Sequence, residues 1–390
     1  MNQPPTTRRR SPLVWIVPLV LAIAILICAG PLAVYYRAYN ATSEAPQLTE
    51  AIEIFRTIPG AQEGNFLRVA HALLFEQLDP AVRVLLFVAA LIGGFSFAAL
   101  LLVYEYFFLA VTGGGRRRSR AYIWLRRAIL GIAGVGALCV LYGYFIEPYW
   151  LEVTRIQVES SKLPHGAHVR IVLISDLHMN RKARLESRLP GVIAAEKPDL
   201  IAFAGDALNT PADAVRARFK DFFLQLSRIA PVYAVKGNVD DGAYWEQWHI
   251  FQGTNAHELT GQAETLDVRG ATLWIRGAGK GHYETMPDLP PPPDKFSIFL
   301  FHTPDEILPV ARDHYDLYLC GHTHGGQIAL PFYGALLTYS DYDKAYESGL
   351  YRLGSTTLYV SRGIGLAKWP QPEARFFSRP EVTLLDVVGK

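Results

Sequence analysis

Three long uncharged apolar segments near the amino terminus constrain this chain more than any other feature. They are 26, 21 and 19 residues long and run from Ser11 to Tyr36, Val84 to Tyr104, and Ala128 to Ile146. About 20 residues of α-helix cross the roughly 30 Å hydrocarbon core of a membrane. One such run also fits a buried helix of a soluble protein. Three in succession, each with charged or aromatic flanks, predict a membrane region with three spanning helices over residues 1–150.

The placement of arginine predicts the orientation of these helices. Arginine-rich segments precede the first run and separate the second from the third. The longer loop between the first and second runs holds four arginines against six acidic residues. Positively charged loops stay on the cytoplasmic side, so we expect the amino terminus in the cytoplasm. Three crossings then place the chain after Trp150 on the outer, periplasmic side of the membrane.

The loop over residues 37–83 has apolar residues at helical spacing in two stretches, from Leu48 to Arg56 and from Asn65 to Leu78. Two structures fit this pattern. The stretches could be short helices packed on the spanning bundle, or an interfacial helix that guides a lipid substrate. The sequence does not separate the two alternatives.

Composition excludes several classes of protein. Half of the 390 residues are hydrophobic and 19% are charged, which is the opposite of a disordered chain. A net charge of +2 argues against a nucleic-acid-binding protein, which would have an excess of basic residues on one face. The three cysteines are too few and too widely spaced for a disulfide framework or a cysteine zinc cluster.

After about residue 155 the chain alternates between short apolar runs typical of strands and amphipathic stretches typical of helices. This βαβ pattern predicts a sheet covered by helices. We predict early strands at Val169 to Ile174, Leu200 to Ala204 and Val232 to Val235, with helices at Lys182 to Ala195 and Ala212 to Ile229. Later strands are expected at Thr265 to Val268, Thr272 to Ile275, Phe296 to Phe301 and Leu317 to Cys320. The last three, at Tyr351 to Leu353, Thr357 to Val360 and Glu381 to Val388, resemble an antiparallel meander.

Polar side chains capable of binding metal follow five of these strands. Ligands in open α/β sheets gather beyond the carboxyl ends of the strands. In an extended segment, the Asp-x-His and His-x-His spacings put two side chains on one face. A single aspartate or histidine here would be an ordinary turn or core residue, but their joint occurrence predicts a metal site. The seven candidate ligands are Asp176, His178, Asp206, Asn238, His302, His322 and His324.

This ordered set resembles the calcineurin-like metallophosphoesterases. The matching motifs are Asp-x-His, Gly-Asp, Gly-Asn-x-Asp, a lone His and Gly-His-Thr-His, over about residues 165–390. The Gly-His-Thr-His-Gly-Gly-Gln sequence and the apolar amino-terminal region look like the membrane-anchored branch. The resemblance implies an α/β fold, a four-layer α/β/β/α sandwich over residues 155–390, with two metal ions. It implies that the first metal is held by Asp176, His178 and His324, the second by Asn238, His302 and His322, and that Asp206 bridges them.

The chemistry of the ligands agrees with this implication. Two divalent cations about 3.5–4 Å apart need a shared anionic ligand, and such a pair lowers the pKa of a bridging water until hydroxide forms near neutral pH. The hydroxide attacks phosphorus in line, while the protein positions the groups and neutralises charge. Imidazole, carboxylate and amide ligands without thiolate suit Mn²⁺, Fe or Zn²⁺.

One position departs from the family pattern. The family carries histidine in the Gly-Asn-x-Asp motif as the expected proton donor, and this chain has Val239. A general-acid contribution of typically 10²–10⁴-fold is therefore in question. Another residue, such as His249 or His282, could supply the proton, or the substrate could have a good leaving group, or the enzyme could be weak or inactive. We expect Asp240 to support the loop by hydrogen bonds, and the catalytic acid stays unassigned.

These features predict a metal-dependent phosphoester hydrolase of the phosphodiesterase or pyrophosphatase type. The membrane anchor favours a substrate at the bilayer surface, such as a phospholipid or a lipid-linked sugar diphosphate, and no nucleic-acid partner. Two alternatives stay open. Val239 is compatible with a weakly active or non-catalytic metal-binding sensor on a membrane anchor. The hydrolase could also act on soluble nucleotides, with the membrane region as an anchor only.

Overall fold

The computed structural model describes residues 80–112, 119–240, 249–280, 286, 289–367 and 372–390. The first predicted spanning helix and nearly all of the predicted outer loop lie outside these residues. The described chain divides into two compact units. The first contains Ala81–Ala137 and the second contains Leu138–Lys390.

Two long helices contain the second and third apolar runs. Helix α1 covers Pro80–Thr112 and helix α2 covers Arg120–Phe145. Within the described residues, these are the two helices long and apolar enough to cross a membrane, with candidate spans of 25 and 30 residues. In the first unit, the nearly buried carboxylate of Glu105 accepts a hydrogen bond from Tyr122 at 2.8 Å and pairs with Arg126 at 3.1 Å. This pairing satisfies the one acidic side chain of α1.

The second unit is built on two six-stranded sheets. The strands of the first sheet are β1 Glu152–Ser160, β2 His168–Ile174, β3 Leu200–Phe203, β4 Val232–Ala234, β5 His257–Glu258 and β14 Glu381–Gly389. Those of the second are β6 Ala263–Val268, β7 Ala271–Gly277, β8 Phe296–Leu300, β9 Leu317–Cys320, β12 Gly349–Leu353 and β13 Thr356–Val360. The first sheet has the order β1-β14-β2-β3-β4-β5 and the second has the order β12-β13-β9-β8-β7-β6. A short hairpin joins β10 Ala329–Leu330 to β11 Gly334–Ala335.

Alternating side chains along the strands divide the interior into three apolar layers. In β2, Ile171 and Leu173 face the second sheet, whereas Val172 and Ile174 pack beneath helices α3 (Leu189–Ala195) and α4 (Asp213–Leu226). In β8 of the second sheet, Phe299 faces away from the first sheet and packs with helix α5, Ile307–Arg312. Because side chains of a strand alternate between faces, two packed sheets with helices on both outer faces follow from these sequences.

The carboxyl-terminal strands correct one prediction. Strands β12 and β13 do pair antiparallel, but β13 continues the second sheet by pairing parallel with β9. Strand β14 leaves that sheet and lies between β1 and β2 of the first. Every residue of β14 except Asp386 and Val388 is buried. Such a strand needs a paired strand on each edge and packing on both faces. The last strand of an antiparallel meander would have a neighbour on one edge only.

The helix after β2 is also shorter than predicted. Helix α3 begins at Leu189 instead of near Lys182, and residues 180–188 form an irregular segment. The carboxylate of Glu186 in this segment accepts the backbone N–H of Arg184, which replaces a helical hydrogen bond. A side chain bonded to a nearby backbone group in this way competes with helix formation.

A buried carboxylate joins the start of β14 to the second sheet. Glu381 is 2% exposed and accepts hydrogen bonds from Arg362 at 2.8 Å and from the Tyr359 hydroxyl at 3.0 Å, with a further bond from Thr154. Burial alone would raise the pKa of Glu381, but Arg362 and the hydrogen bonds hold it below 4.5, its ordinary value. The charged form of Glu381 therefore stabilises the fold.

We predict that Glu381→Gln lowers the free energy of unfolding by roughly 1.5–3 kcal/mol, because it removes a buried charge-assisted hydrogen bond from Arg362, which keeps only Glu152 at 3.0 Å as its carboxylate partner. Denaturant unfolding of the detergent-solubilised protein, followed by tryptophan fluorescence, measures the change. The folded pKa is depressed, so this contribution is present above the unfolded value and is lost as the pH falls through the folded value. The difference in the free energy of unfolding between wild type and Glu381→Gln should therefore become smaller only at acidic pH.

Glu159→Gln is the matched control, because Glu159 pairs with Lys390 on the surface and is 53% exposed at its side chain. An exposed pair contributes roughly 0–1 kcal/mol. An equal decrease in the free energy of unfolding for Glu381→Gln and Glu159→Gln would contradict the role assigned to Glu381.

Candidate metal centre

The structure brings all seven predicted ligands to one place, where the carboxyl ends of five strands meet. Asp176 and His178 follow β2, Asp206 follows β3 and Asn238 follows β4, all from the first sheet. The second sheet contributes His302 after β8, and His322 and His324 after β9. The site therefore lies at the shared edge of the two sheets, and all of these side chains except Asn238 are buried.

The first group of side chains consists of Asp176, His178 and His324. One ligand atom from each lies within 4.8 Å of the other two. The Nε2 atoms of His178 and His324 are 3.1 Å apart, and Nε2 of His324 is 3.5 Å from Oδ1 of Asp176. Two imidazoles and a carboxylate at these distances are suited to a single cation.

The second group consists of Asp206, His302 and His322, again with ligand atoms within 4.8 Å of one another. His302 Nε2 is 3.1 Å from His322 Nδ1 and 2.9 Å from Oδ1 of Asn238. Asn238, which is exposed, thus closes this group on the solvent side.

Asp206 lies between the two groups. Its Oδ2 is 3.4 Å from Nε2 of His178, and its Oδ1 is 3.4 Å from Nε2 of His302. Burial opposes a charge on Asp206, but the surrounding histidines, above all His302, hold its pKa below the ordinary range. The same carboxylate, against the effect of burial, raises the pKa of His302 to about 9. One carboxylate with a separate oxygen toward each histidine group has the geometry of a bridging ligand.

The donor set fits divalent metal. Burial lowers the pKa of His322 to about 4 and that of His324 well below its ordinary value, so both are neutral imidazoles, the form that binds metal. Ring nitrogens that face away from the site contact polar groups. His178 Nδ1 contacts Asn209 at 2.9 Å, His302 Nδ1 contacts the Ala204 carbonyl at 2.7 Å, and His322 Nε2 contacts the Tyr339 carbonyl at 3.0 Å. Such contacts orient the opposite nitrogen toward a metal.

The backbone at the site is unusual. Five of the seven candidate ligands have positive φ angles, between 42° and 71°, although none is glycine: Asp176, His178, Asp206, His322 and His324. Left-handed backbone costs about 1 kcal/mol or more for such residues and persists where the surrounding structure enforces it. The concentration of this conformation at one edge of the fold marks a site built for geometry at the expense of stability.

Asp240 and Gly237 support Asp206. The buried carboxylate of Asp240 accepts backbone N–H groups from Asp206 at 2.8 Å, Ala207 at 2.9 Å and Gly237 at 3.0 Å. Burial, together with the nearby Asp206, raises the pKa of Asp240 to about 7. A Cβ atom at Gly237 would collide with Oδ1 of Asp206, so only glycine permits this approach of the two loops.

Val239 occupies the position at which the family pattern has the proton-donating histidine. Its backbone N–H donates to Oδ1 of Asp206 at 2.9 Å, and its side chain is half-buried. Of the two alternative donors, His249 is exposed, and His282 lies outside the described residues. Val239 thus contributes a backbone hydrogen bond to Asp206, and its side chain cannot donate a proton to a leaving group.

A further residue at the site, Arg375, is not indicated by any motif in the sequence. Its side chain is fully buried, and its Nη2 lies 3.4 Å from Nδ1 of His324. The guanidinium donates to the backbone carbonyls of Gly365 at 2.7 Å, Ser378 at 2.8 Å and Arg362 at 3.0 Å. Because its partners are backbone carbonyls scattered along the chain, no motif in the sequence could have pointed to Arg375.

Comparison with known proteins agrees with this geometry. Residues 169–326 match the family model described as calcineurin-like phosphoesterase. An uncharacterised metallophosphoesterase of Bacillus subtilis, YkuE, is 34% identical over 277 residues, which cover 66% of this chain and 94% of that protein. The chain belongs to the calcineurin-like phosphoesterase family. The predicted family and the prediction of a metal-dependent phosphoester hydrolase are thereby confirmed.

Two further relatives carry more specific names. The Escherichia coli phosphodiesterase YaeI is 31% identical over 284 residues, covering 67% of this chain and 98% of YaeI. The UDP-2,3-diacylglucosamine pyrophosphatase LpxG of Chlamydia trachomatis is 24% identical over 329 residues, covering 67% of this chain and 97% of LpxG. Family members therefore include enzymes named for phosphodiester and for diphosphate substrates.

We predict that Asp206→Ala abolishes stoichiometric binding of divalent metal, because it removes the one carboxylate shared by both histidine groups. Metal content of the purified protein, measured by plasma mass spectrometry after loading with Mn²⁺, tests this. Asp221→Ala, at an exposed position of helix α4, is the matched control and should bind as much metal as wild type. Unchanged metal content in Asp206→Ala would show that the centre is assigned wrongly.

Proposed function

We propose that this protein is a two-metal phosphoester hydrolase of the phosphodiesterase or pyrophosphatase type. In this proposal Asp176, His178 and His324 hold one metal ion, Asn238, His302 and His322 hold the other, and Asp206 bridges them. The position of Asp206 between the two histidine groups is the observation that carries the proposal. Mn²⁺, Fe and Zn²⁺ all suit these ligands.

A pair of bound divalent cations supplies electrostatic stabilisation of a phosphoryl oxygen and activation of water. The chain supplies geometry. Water adds to phosphorus and loses a proton to the solvent, the bond from phosphorus to the leaving oxygen breaks, and that oxygen departs as an alkoxide or phosphate unless a donor protonates it. The neutral His322 keeps its ring orientation by donating from Nε2 to the Tyr339 carbonyl. Asp240 fixes the loops that carry Asp206 and Asn238.

The absence of a proton donor at Val239 favours substrates whose leaving group needs no protonation. A phosphate leaving from a diphosphate is such a group, whereas the alkoxide of a simple phospholipid is a poor one. The relative LpxG is named as a pyrophosphatase of a diacylated sugar nucleotide. We therefore propose a diphosphate, lipid-linked or otherwise held at the membrane surface, as the substrate class.

The catalytic unit, residues 152–390, is joined to helix α2 by a short segment, and this connection supports a membrane location. Helix α2 ends at Phe145, and the first strand of the catalytic unit begins only seven residues later at Glu152. A domain joined so closely to a spanning helix stays near the bilayer surface. We propose a multi-pass membrane protein with three spans, with its amino terminus in the cytoplasm and its catalytic unit on the outer side.

A direct test measures hydrolysis of bis(p-nitrophenyl) phosphate by the full-length protein in detergent with Mn²⁺. This substrate has good leaving groups, so Val239 should not prevent turnover. Turnover that is lost on chelation and in Asp206→Ala supports the hydrolase. Bound metal without turnover on this substrate or on any lipid or nucleotide phosphoester would favour the non-catalytic sensor, which Val239 keeps as the second candidate function.

We predict that Val239→His raises kcat/KM on phosphatidylglycerol, whose leaving groups are poor, by roughly tenfold or more, since general acids contribute about 10²–10⁴-fold. Activity on bis(p-nitrophenyl) phosphate should change little. Val239→Asn, which adds polarity without an acid, is the control. Equal effects of the two substitutions on both substrates would contradict the idea that only an acid is missing.

Topology can be checked separately. Proteinase K added to intact spheroplasts that express the protein should digest the catalytic unit, while a cytoplasmic marker protein of the host survives. Protection of the catalytic unit until the membrane is lysed would overturn the proposed orientation.

A further inference from the structure

A cavity of about 280 Å³ adjoins the metal centre and reaches the end of helix α2. His178 forms part of its wall on one side, and Tyr144 and Tyr149, from the last turn of α2 and the 3₁₀ turn after it, line the other. The irregular segment before α3 contributes Lys182 and Arg184. The volume equals roughly nine water molecules at about 30 Å³ each, which is enough for a phosphate and part of the group attached to it.

Arg184 is the unusual group in this cavity. Its side chain is half-buried, and its one described hydrogen bond is a long contact of 3.4 Å to the Ile364 carbonyl. Burial lowers the pKa of Arg184. Among the residues that the structure describes, Arg184 forms no ion pair.

Two acidic residues of the cavity, Glu186 and Glu373, lie near this charge, but neither forms a direct ion pair with it. The carboxylate of Glu186 is tied to the backbone N–H of Arg184, and Glu373 is exposed at the mouth. A half-buried guanidinium with no carboxylate in direct contact can donate charge-assisted hydrogen bonds to a bound anion. The exposed ammonium of Lys182 adds a second positive charge on the same wall. This wall of the cavity is therefore built to accept an anionic group.

The opposite wall is aromatic and is formed by Tyr144 and Tyr149. Outside the cavity, next to Tyr144 along the chain, Phe145 and Ile146 are 71% and 52% exposed, at the end of a helix long enough to cross a membrane. An amphiphile whose anionic part lies against Arg184 can therefore keep its hydrocarbon part along the end of α2. A soluble nucleotide would use only the polar wall.

We propose that this cavity is the subsite for the second phosphate of a lipid-linked diphosphate, with Arg184 and Lys182 as its anion-binding residues. The assignment rests on the proposed hydrolase, because it places the neighbouring, scissile phosphate at the metal centre beside His178. It makes Arg184 a specificity-determining residue that distinguishes diphosphates from simple phosphodiesters.

Binding can be measured without catalysis. Full-length protein in detergent with EDTA is titrated with CDP-diacylglycerol, a lipid diphosphate, and with phosphatidylglycerol, a lipid with one phosphate, in mixed micelles. Wild type should bind the diphosphate more tightly. Arg184→Gln should weaken that binding about tenfold, the loss expected for one charge-assisted hydrogen bond of roughly 1.4 kcal/mol, and should leave phosphatidylglycerol unaffected.

Three further variants separate a binding role from a structural one. Arg188→Gln, at an exposed position beside α3, is the matched control and should bind both lipids as wild type does. Lys182→Gln should weaken binding of the diphosphate less than Arg184→Gln does. Arg184→Lys keeps the charge and should recover part of the affinity. A thermal melt of each variant identifies any that fail to fold.

The two proposals fail in different ways. If Arg184→Gln weakens the binding of both lipids equally, or the binding of neither, the subsite assignment is overturned. This holds even if wild type hydrolyses bis(p-nitrophenyl) phosphate with Mn²⁺. If the variants discriminate between the lipids in EDTA but no phosphoester is turned over with metal, binding of a lipid diphosphate to Arg184 stands, whereas the hydrolase and the scissile position of the neighbouring phosphate are overturned. Tight binding of a water-soluble nucleotide diphosphate, with the same loss in Arg184→Gln, would overturn the lipid part of the assignment.

Discussion

The carboxylate of Asp206 is the group on which the rest of the catalytic unit depends. It is a buried charge with one oxygen toward His178 and the other toward His302, and a charge in that position requires partners on both sides. The partners come from different sheets, so the two sheets must pack with their carboxyl-terminal edges in register. The continuous apolar layer between the sheets, with Leu173 from one and Ile298 from the other, holds them in this register.

The loops that follow the strands accept local strain for the same purpose. Asp206 itself has φ of 58°, and its backbone N–H is held by Asp240. Gly237 allows that loop to approach until a side chain would touch the Asp206 carboxylate. Left-handed backbone, a buried acid with a raised pKa and a close loop contact would each lower stability alone. Together they hold one carboxylate in place, which is the behaviour expected of a preorganised site.

The sequence predicted this edge of the fold well because the ligands are short motifs directly after apolar strands. It predicted the sheet order less well. Strand β1 was missed because its side chains are mostly half-exposed, without a continuous apolar run. Strand β14 was assigned to the wrong neighbours, since pairing with β1 and β2 is decided by contacts more than 200 residues apart along the chain. Arg375 and Arg184 could not be recognised, because their partners are backbone carbonyls that only the folded chain brings together.

The end of helix α2 is connected to the candidate metal centre through Arg375. The Gly143 carbonyl accepts the backbone N–H of Arg375 at 2.9 Å, and the guanidinium of Arg375 reaches Nδ1 of His324. A side chain at Gly143 would press on the Arg375 carbonyl, at 3.1 Å from the added atom. The end of this helix is therefore linked through Arg375 to a candidate metal ligand. The same helix end also borders the cavity beside His178, so a change at the helix end would reach both the cavity and the centre.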